Sequence, residues 1–268
     1  MPDPASSAAT APADPAGDLA CYQALHLAFD ATLAHHQRGP RLVAALLAQA
    51  VDSVDGNLAL RCQGEPAIAC RRGCASCCTL RVVATAPEVF GMLRFLRAVV
   101  PPLQARGIDL IGRLRAADAA TRGLDERRRV ALQQPCPFLA QGVCVVHAVR
   151  SLACRGHASH DAAACQAAAT GRLGAVPHSA GHRLVRALVQ NALQSALRDA
   201  GLAWQLHELN HALVLAWDAP GAEAAWRAGA NVLAAAAVND VPQAEMAAVF
   251  DRLRPAAPPV APVAPAAR

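Results

Sequence analysis

Cysteine spacing restrains the fold of this chain more than any other feature of its sequence. Seven of the ten cysteines fall in two short groups, one within residues 70–78 and the other within residues 136–154. A structural cysteine in a protein core is usually solitary and behaves as a small hydrophobic residue. Clustered thiols at short, turn-compatible spacing are typical of zinc and iron–sulfur sites. The sequence therefore predicts a metal site with ligands from both groups: Cys70, Cys74, Cys77, Cys78, Cys136, Cys144 and Cys154.

The number of thiols leaves the type of metal centre open. One tetrahedral zinc or one ordinary iron–sulfur cluster takes four thiolates, and seven are present. The surplus has three explanations: one cluster with bystander thiols, two metal sites, or a redox-active thiol beside a metal. We prefer an iron–sulfur cluster slightly to Zn²⁺. Three further residues are undecided as ligands: Cys62, Cys165 and His147.

The residues between the cysteines suit thiolate ligation. A metal binds the thiolate, and positive charge nearby favours loss of the thiol proton. Arg71 and Arg72 lie inside the first group, and Arg155 directly follows the last cysteine of the second. Gly73 permits the backbone to bend tightly between two ligands. We therefore expect a tight loop with basic side chains around the thiols.

The combined motif resembles that of a known family. Cys-x3-Cys-x2-Cys-Cys, then Cys-Pro-Phe-Leu-x2-Gly-x-Cys and Arg-x3-Cys-Arg, resembles the bacterial YkgJ-type CxxCxxCC cysteine-cluster family over about residues 70–156. Members are described as zinc- or iron-chelating, so the resemblance implies that all seven cysteines form the cluster. The gap before Cys74 is one residue longer than in the family name, and His147 and Ser151 replace a Tyr and a Pro. A related domain occurs in bacterial flagellin lysine methylases.

Two classes of function follow from these cysteines. The first is a metal-binding module that acts through an unidentified protein partner or substrate. The second is an enzyme that uses the cysteine-bound metal for redox or methyl-transfer chemistry. Radical S-adenosylmethionine enzymes share the spacing of the first three cysteines. However, Ser76 replaces their usual aromatic residue, and the helical pattern does not predict their β/α barrel.

A zinc hydrolase is a less favoured alternative. Residues 207–211 read His-Glu-Leu-Asn-His, which matches HExxH. On a helix, His207 and His211 would lie one turn apart and bind zinc, with Glu208 as general base and Glu223 as a third ligand. The apolar spacing around the motif is also that of an ordinary core helix. We therefore favour a surface-facing pair of histidines on that helix.

The remaining sequence predicts an all-α fold with a small irregular cysteine-rich element and one short β-hairpin. Aromatic residues make up only 3% of the chain, and alanine supplies much of the 54% hydrophobic content, which favours helices packed through small residues. We expect a single helical domain over residues 18–254, with the cysteine cluster at 70–156. Residues 1–17 and the Pro/Ala-rich tail 255–268 are expected to be disordered.

Apolar periodicity and capping residues place the helices and the hairpin. The hairpin is expected between Cys136 and Cys144. Thr85 and Glu88 form a capping box for a helix that stops before Pro101. The other long helices are expected at about 18–37, 41–60, 103–119, 124–133, 180–200, 203–216, 222–237 and 241–253.

Charge and hydropathy argue against several other classes. The net charge of +5 comes without a long basic run, so we expect no nucleic-acid partner. Eighteen uninterrupted apolar residues occur nowhere in the chain, so we expect no membrane span. The first residues lack the basic and apolar regions of a secretory signal. We therefore expect a cytoplasmic protein, where grouped cysteines favour metal chemistry over disulfides.

Overall fold

Helices dominate the computed structural model, which describes residues 14–172 and 175–254. The expected all-α architecture is confirmed at this level. The helices are α1 (Pro15–His36), α2 (Leu42–Arg61), α3 (Ala86–Gln104), α4 (Leu110–Thr121), α5 (Glu126–Leu132), α6 (Leu152–Arg155), α7 (Ala162–Ala169), α8 (Ala180–Asp199), α9 (Leu209–Asp218), α10 (Ala222–Arg227) and α11 (Gln243–Leu253). The strands are β1 (Val83–Ala84), β2 (Leu139–Ala140), β3 (Val143–Cys144) and β4 (His207–Glu208).

The core lies where α1 and α2 pack against α8, with α3 and α9 extending it on one side. Phe29, Leu46 and Val189 are completely buried in it. Ala50 and Ala192 are also completely buried. Because alanine has a small side chain, it allows helices to pack closely, as the composition predicts.

Helix α2 is the one helix in the described part of the chain with the length and composition of a membrane span. Its most apolar window has a mean hydropathy of 1.2. Leu42, Leu46 and Val54 of this helix are buried, and α2 packs against α1, α3 and α8. A core helix of a globular protein has the same properties, so α2 alone carries no argument for a membrane.

The first helix begins earlier than the sequence pattern indicates. Asp14 is its N-cap, and the carboxylate accepts a hydrogen bond of 3.0 Å from the backbone N–H of Gly17. Pro15 occupies the first turn, where its missing N–H costs nothing. The expected disorder is therefore wrong for residues 14–17. Residues 1–13 and the predicted tail 255–268 lie outside the described part of the chain.

Helix α3 confirms its predicted start and extends beyond its predicted end. Thr85 and Glu88 form the expected capping box. The helix continues through Pro101 and Pro102 to Gln104. Proline already has a helical φ, but Pro101 and Pro102 have no N–H to donate to the carbonyls of Arg97 and Ala98, so fewer backbone hydrogen bonds hold the last turns of this helix.

The last third of the chain contains less helix than expected. Residues 203–208 are not helical, because Glu208 pairs with Val83 and His207 with Ala84 in the β1–β4 ladder. Helix α10 ends at Arg227, close to Gly229, whose φ of 104° is outside the helical region. The predicted helices 203–216 and 222–237 are therefore both too long.

Candidate metal centre

The first cysteine group lies on a loop of consecutive tight turns. The backbone N–H of Cys74 donates to the carbonyl of Arg71 at 2.9 Å, and that of Cys78 donates to Ala75 at 2.9 Å. Gly73 has a φ of 87°, which is readily accessible only to glycine. The predicted tight bend at Gly73 is therefore confirmed.

The second group begins on the predicted β-hairpin. Strands β2 and β3 pair with Leu139 opposite Cys144. Gln141 and Gly142 form the two-residue loop, and both have positive φ, as a type I′ turn requires. The backbone N–H of Cys136, just before β2, donates to the carbonyl of Cys78 at 2.7 Å. This bond joins the hairpin directly to the first cysteine loop.

The last predicted ligand, Cys154, lies on the single turn of α6. Ser151 caps this helix and accepts a hydrogen bond from the N–H of Cys154 at 3.3 Å. The N–H of Leu152 donates to Oε1 of Glu88 at 2.6 Å. The other carboxylate oxygen of Glu88 accepts from the N–H and the hydroxyl of Thr85, each at 2.7 Å. The glutamate of the α3 capping box therefore also positions the helix that carries Cys154.

Five of the seven predicted cysteines lie close enough to influence one another electrostatically. Thiolate charge on Cys136 or Cys154 raises the pKa of Cys78. Charge on Cys144 raises the pKa values of both Cys136 and Cys154. Cys77 is hydrogen-bonded to Cys78, and its charge raises the pKa of Cys154. The fold therefore brings the two sequence groups together at these residues.

Cys70 and Cys74 have different surroundings. Cys70 is exposed, and its Sγ lies 4.0 Å from the carbonyl oxygen of Ser159. Cys74 lines a surface cleft of about 680 Å³ together with Arg71, Arg72 and residues of α7. Both arginines are exposed, so in this structure they flank Cys74 and the cleft.

The predicted thiols do not form a compact group of three in the described residues. Two thiolates on one tetrahedral zinc lie about 3.8 Å apart. Within the described residues, no three Sγ atoms of the predicted set lie within 4.8 Å of one another. A polynuclear iron–sulfur cluster holds its thiolates farther apart than a single ion, because each thiolate binds a different iron.

Burial controls the protonation of the thiols on the second segment. It raises the pKa of Cys136 to about 12 and also raises the pKa values of Cys144 and Cys154. In the first group, the thiol of Cys78 donates a hydrogen bond to Cys77. This bond lowers the pKa of Cys77 and raises that of Cys78. Metal binding at these residues must therefore release protons.

Arg150 supplies positive charge at the thiols. Its guanidinium lowers the pKa values of Cys77, Cys144 and Cys154, although burial outweighs it at the last two. Arg150 was not among the basic residues expected near the thiols. The Arg-x3-Cys spacing of the motif could have identified it.

His147, whose role as a ligand the sequence leaves undecided, is a neighbour of Arg150. The side chain is exposed, and its Nε2 lies 2.9 Å from Nη1 of Arg150. The positive charge of Arg150 is the largest cause that lowers the pKa of His147.

The HExxH motif does not form the predicted helical zinc site. His207 and Glu208 lie on β4, and only His211 lies on α9. Glu208 instead caps α9 through the N–H of His211 at 2.8 Å and forms a 2.9 Å ion pair with Arg129. Its carboxylate is therefore committed to the fold.

The other residues proposed for that zinc site also have structural roles. His207 is completely buried and His211 is 8% exposed, so the predicted surface-facing pair is wrong as well. Nδ1 of His211 lies 3.2 Å from the buried carboxylate of Asp118. The nominated third ligand, Glu223, forms an ion pair with Arg94. The zinc hydrolase alternative is therefore not supported.

A different set of metal-ligand types does converge in the structure. Ligand atoms of Cys62, Glu65 and His182 all lie within 4.8 Å of one another, the one such group of three in the described residues. Cys62 was an undecided ligand on sequence grounds. Glu65 and His182 were not predicted as ligands, because His182 on α8 is far from Cys62 and Glu65 in sequence. Cys165 lies half-buried on α7.

Comparison with protein-family models, curated proteins and solved structures finds no match to this chain. Similarity to the YkgJ-type family therefore rests on the cysteine motif. The functional argument rests on the residues and contacts described above.

Proposed function

We propose that this protein is a metal-binding cysteine-cluster protein of the YkgJ type, with an iron–sulfur cluster preferred over Zn²⁺. The 2.7 Å backbone hydrogen bond from Cys136 to Cys78, which joins the two cysteine groups, is the observation that carries the proposal. Cys144 contributes from the hairpin, and Cys70 and Cys74 belong to the same cluster by the family motif.

The surrounding fold supports a site that is largely formed before the metal binds. The 2.7 Å bond between Cys136 and Cys78 fixes the distance between the two segments. Glu88 fixes α6, and the type I′ turn fixes the hairpin. Such preorganisation reduces the conformational entropy that metal binding must overcome.

Charge around the thiols also supports a metal centre. Several thiolates together carry a large negative charge, which a buried site must balance. The charge of Arg150 lowers the pKa of Cys154. The charge of Cys154 in turn favours the charged forms of Arg155 and Arg186. Burial lowers the pKa values of Arg155 and Arg186, which indicates that both guanidinium groups lie partly inside the protein.

The spacing of the thiols favours iron–sulfur over a single zinc. A bound cluster would supply one-electron transfer or a structural link between the two segments. We propose that it acts as a module for a protein partner in a reducing compartment such as the cytoplasm. The structure has no disulfide among the ten cysteines of the described residues, which leaves the seven grouped ones available as ligands.

The cleft beside Cys74 favours a second candidate function, an enzyme with redox or methyl-transfer chemistry at the same centre. Arg71 and Arg72 line this cleft and would attract an anionic molecule. Binding of S-adenosylmethionine measured by equilibrium dialysis would support methyl transfer, and reversible one-electron reduction would support a redox role. If neither is observed for metal-loaded protein, the enzyme alternative is wrong.

Cysteine substitutions test the proposed ligand set. Cys78→Ser and Cys136→Ser should each lower the metal content of anaerobically purified protein by at least about half. Cys165→Ser is the matched control, because it removes a half-buried thiol outside the predicted set, and it should keep the metal content of the wild type. Equal metal content in all four proteins would refute the proposed ligands.

A further inference from the structure

A second group of potential ligands lies where the C-terminal end of α2 meets the N-terminal end of α8. Cys62 is the C-cap residue of α2, and the N–H of Glu65 donates to the carbonyl of Cys62 at 3.1 Å. This turn brings the thiol and the carboxylate to the first turn of α8, which carries His182. Thiolate, carboxylate and imidazole are the three side-chain types that bind zinc.

The distances between these atoms match tetrahedral zinc. Sulfur and nitrogen ligands on one tetrahedral zinc lie about 3.6 Å apart. The observed distance between Sγ of Cys62 and Nδ1 of His182 is 3.4 Å. Nδ1 also lies 2.8 Å from Oγ of Ser179, whose proton is donated to Glu65, so zinc must displace the proton that Nδ1 shares with this hydroxyl. The cysteine thiol and the imidazole then need little movement to share one ion.

Hydrogen bonds hold the carboxylate in place. Oε1 of Glu65 accepts from the N–H of Gly181 at 2.7 Å, and Oε2 accepts from the hydroxyl of Ser179 at 2.5 Å. Both donors belong to the start of α8, where the helix dipole favours negative groups such as a carboxylate or a thiolate. Gly181 also makes the close approach possible, because a Cβ atom there would lie 2.6 Å from Sγ of Cys62.

His160 is a candidate for a fourth ligand, although it lies outside the group whose ligand atoms are all within 4.8 Å of one another. Its Nδ1 lies 3.4 Å from the carbonyl oxygen of Ala67, and its Nε2 lies 3.4 Å from Oε2 of Glu65. A hydrogen bond from Nδ1 to Ala67 would leave the Nε2 lone pair for a metal. Metal-binding histidines are commonly oriented in this way, with the second ring nitrogen bonded to a backbone carbonyl.

We propose that Cys62, Glu65 and His182, with His160, form a structural zinc site that links α2 to α8. This site is separate from the seven-cysteine centre and does not depend on it. It uses one thiolate, and the ligand atoms of Cys62, Glu65 and His182 all lie within 4.8 Å of one another, which no three thiols of the larger cluster do. Zinc has no redox chemistry, so the site would act as a link between segments far apart in sequence.

Site-specific alkylation tests the proposal on the full-length protein. Iodoacetamide labelling of the chelator-treated protein is followed by mass spectrometry, with and without added Zn²⁺. Fragment ions distinguish Cys62 from Cys70 on their common peptide. Zinc should slow the labelling of Cys62 about tenfold or more, because a metal-bound thiolate is a poor nucleophile. Cys21, which packs against the core and is not a proposed ligand, is the internal reference and should be unaffected.

Two ligand variants distinguish direct protection from an indirect effect of zinc at the seven-cysteine centre. His182→Gln and Glu65→Gln should lose the protection of Cys62, whereas the matched variant His178→Gln should keep it. Unchanged labelling of Cys62 in the wild type would overturn the proposal, and so would protection that persists in both ligand variants. If a variant loses its helical circular dichroism, the wild-type comparison of Cys62 with Cys21 decides alone.

Discussion

Glu88 is the single residue that contributes most to positioning the proposed centre. Its two carboxylate oxygens accept three hydrogen bonds, two from Thr85 and one from Leu152. Burial raises the pKa of this carboxyl group, and the three donors oppose that effect. The capping role was readable from the sequence, because Thr85 and Glu88 have the required spacing. The bond to Leu152 was not, because that residue lies 64 positions farther along the chain.

Replacing Glu88 by Gln should destabilise the protein by about 2 kcal/mol. The amide keeps the shape of the side chain but places an NH₂ group against at least one buried donor. Urea denaturation followed by circular dichroism measures the change. Glu245→Gln removes an exposed glutamate from the first turn of α11 and should change stability by less than about 0.5 kcal/mol. A Glu88→Gln variant as stable as this control would contradict the role assigned to Glu88.

His207 should make folding stability depend on pH. Burial lowers its pKa from 6.5 to about 4 in the folded protein. As the pH falls, His207 is therefore protonated in the unfolded chain before it is protonated in the folded protein. Its contribution to folding stability is fully present above about pH 6.5 and is lost as the pH falls towards 4. The total effect is at most about 3 kcal/mol.

A variant without this titration tests the dependence. His207→Gln should flatten the slope of unfolding free energy against pH between 6.5 and 4, even if the variant is less stable overall. His35→Gln, which replaces an exposed histidine on α1, should keep the wild-type slope. If the two variants have the same slope, His207 does not control the pH dependence.

At the level of secondary structure, the hairpin shows what local sequence can predict. Ala140-Gln141-Gly142 between apolar segments predicts a turn, and the structure has a type I′ turn at Gln141 and Gly142, with Ala140 already paired in β2. The β1–β4 ladder was not predictable in this way. Each of its strands has only two residues, and its partners, Val83 and Glu208, are far apart in sequence. The periodicity of residues 203–216 therefore led to a helix that is too long.

Substitution of Gln141 by Asn should stabilise the hairpin. Gln141 has a φ of 50°, and asparagine tolerates this conformation better than other non-glycine residues. We expect a gain of about 0.5 kcal/mol in the free energy of unfolding. Gln134→Asn, the same change at a residue without positive φ, should give no gain. A loss of stability at position 141 would contradict the assigned turn type.

At the scale of the whole molecule, the sequence was sufficient for the all-α class but not for the arrangement of its ligands. Alanine content and helical periodicity predict close helix packing, which the α1, α2 and α8 core confirms. The Cys62, Glu65 and His182 group forms only when α2 and α8 pack together, so no local motif reveals it. Its detection requires the tertiary structure.

Metal should contribute to the stability of the whole domain, because the proposed centre joins residues 70–78 to residues 136–154. Removal of the metal by a chelator should lower the free energy of unfolding by several kcal/mol. Chelation should have a smaller effect on Cys78→Ser, which is expected to have already lost the cysteine centre. Equal stability of the wild type with and without metal would exclude a structural contribution from it.

Metal content and the visible spectrum of the wild-type protein, purified without oxygen, test the central claim most directly. The account predicts a brown protein with broad visible absorption and about four irons and four sulfides per chain in the cysteine centre. A colourless protein that contains zinc and no iron would exclude the preferred iron–sulfur cluster. Fully folded protein that contains no metal and takes up neither iron nor zinc would contradict the account.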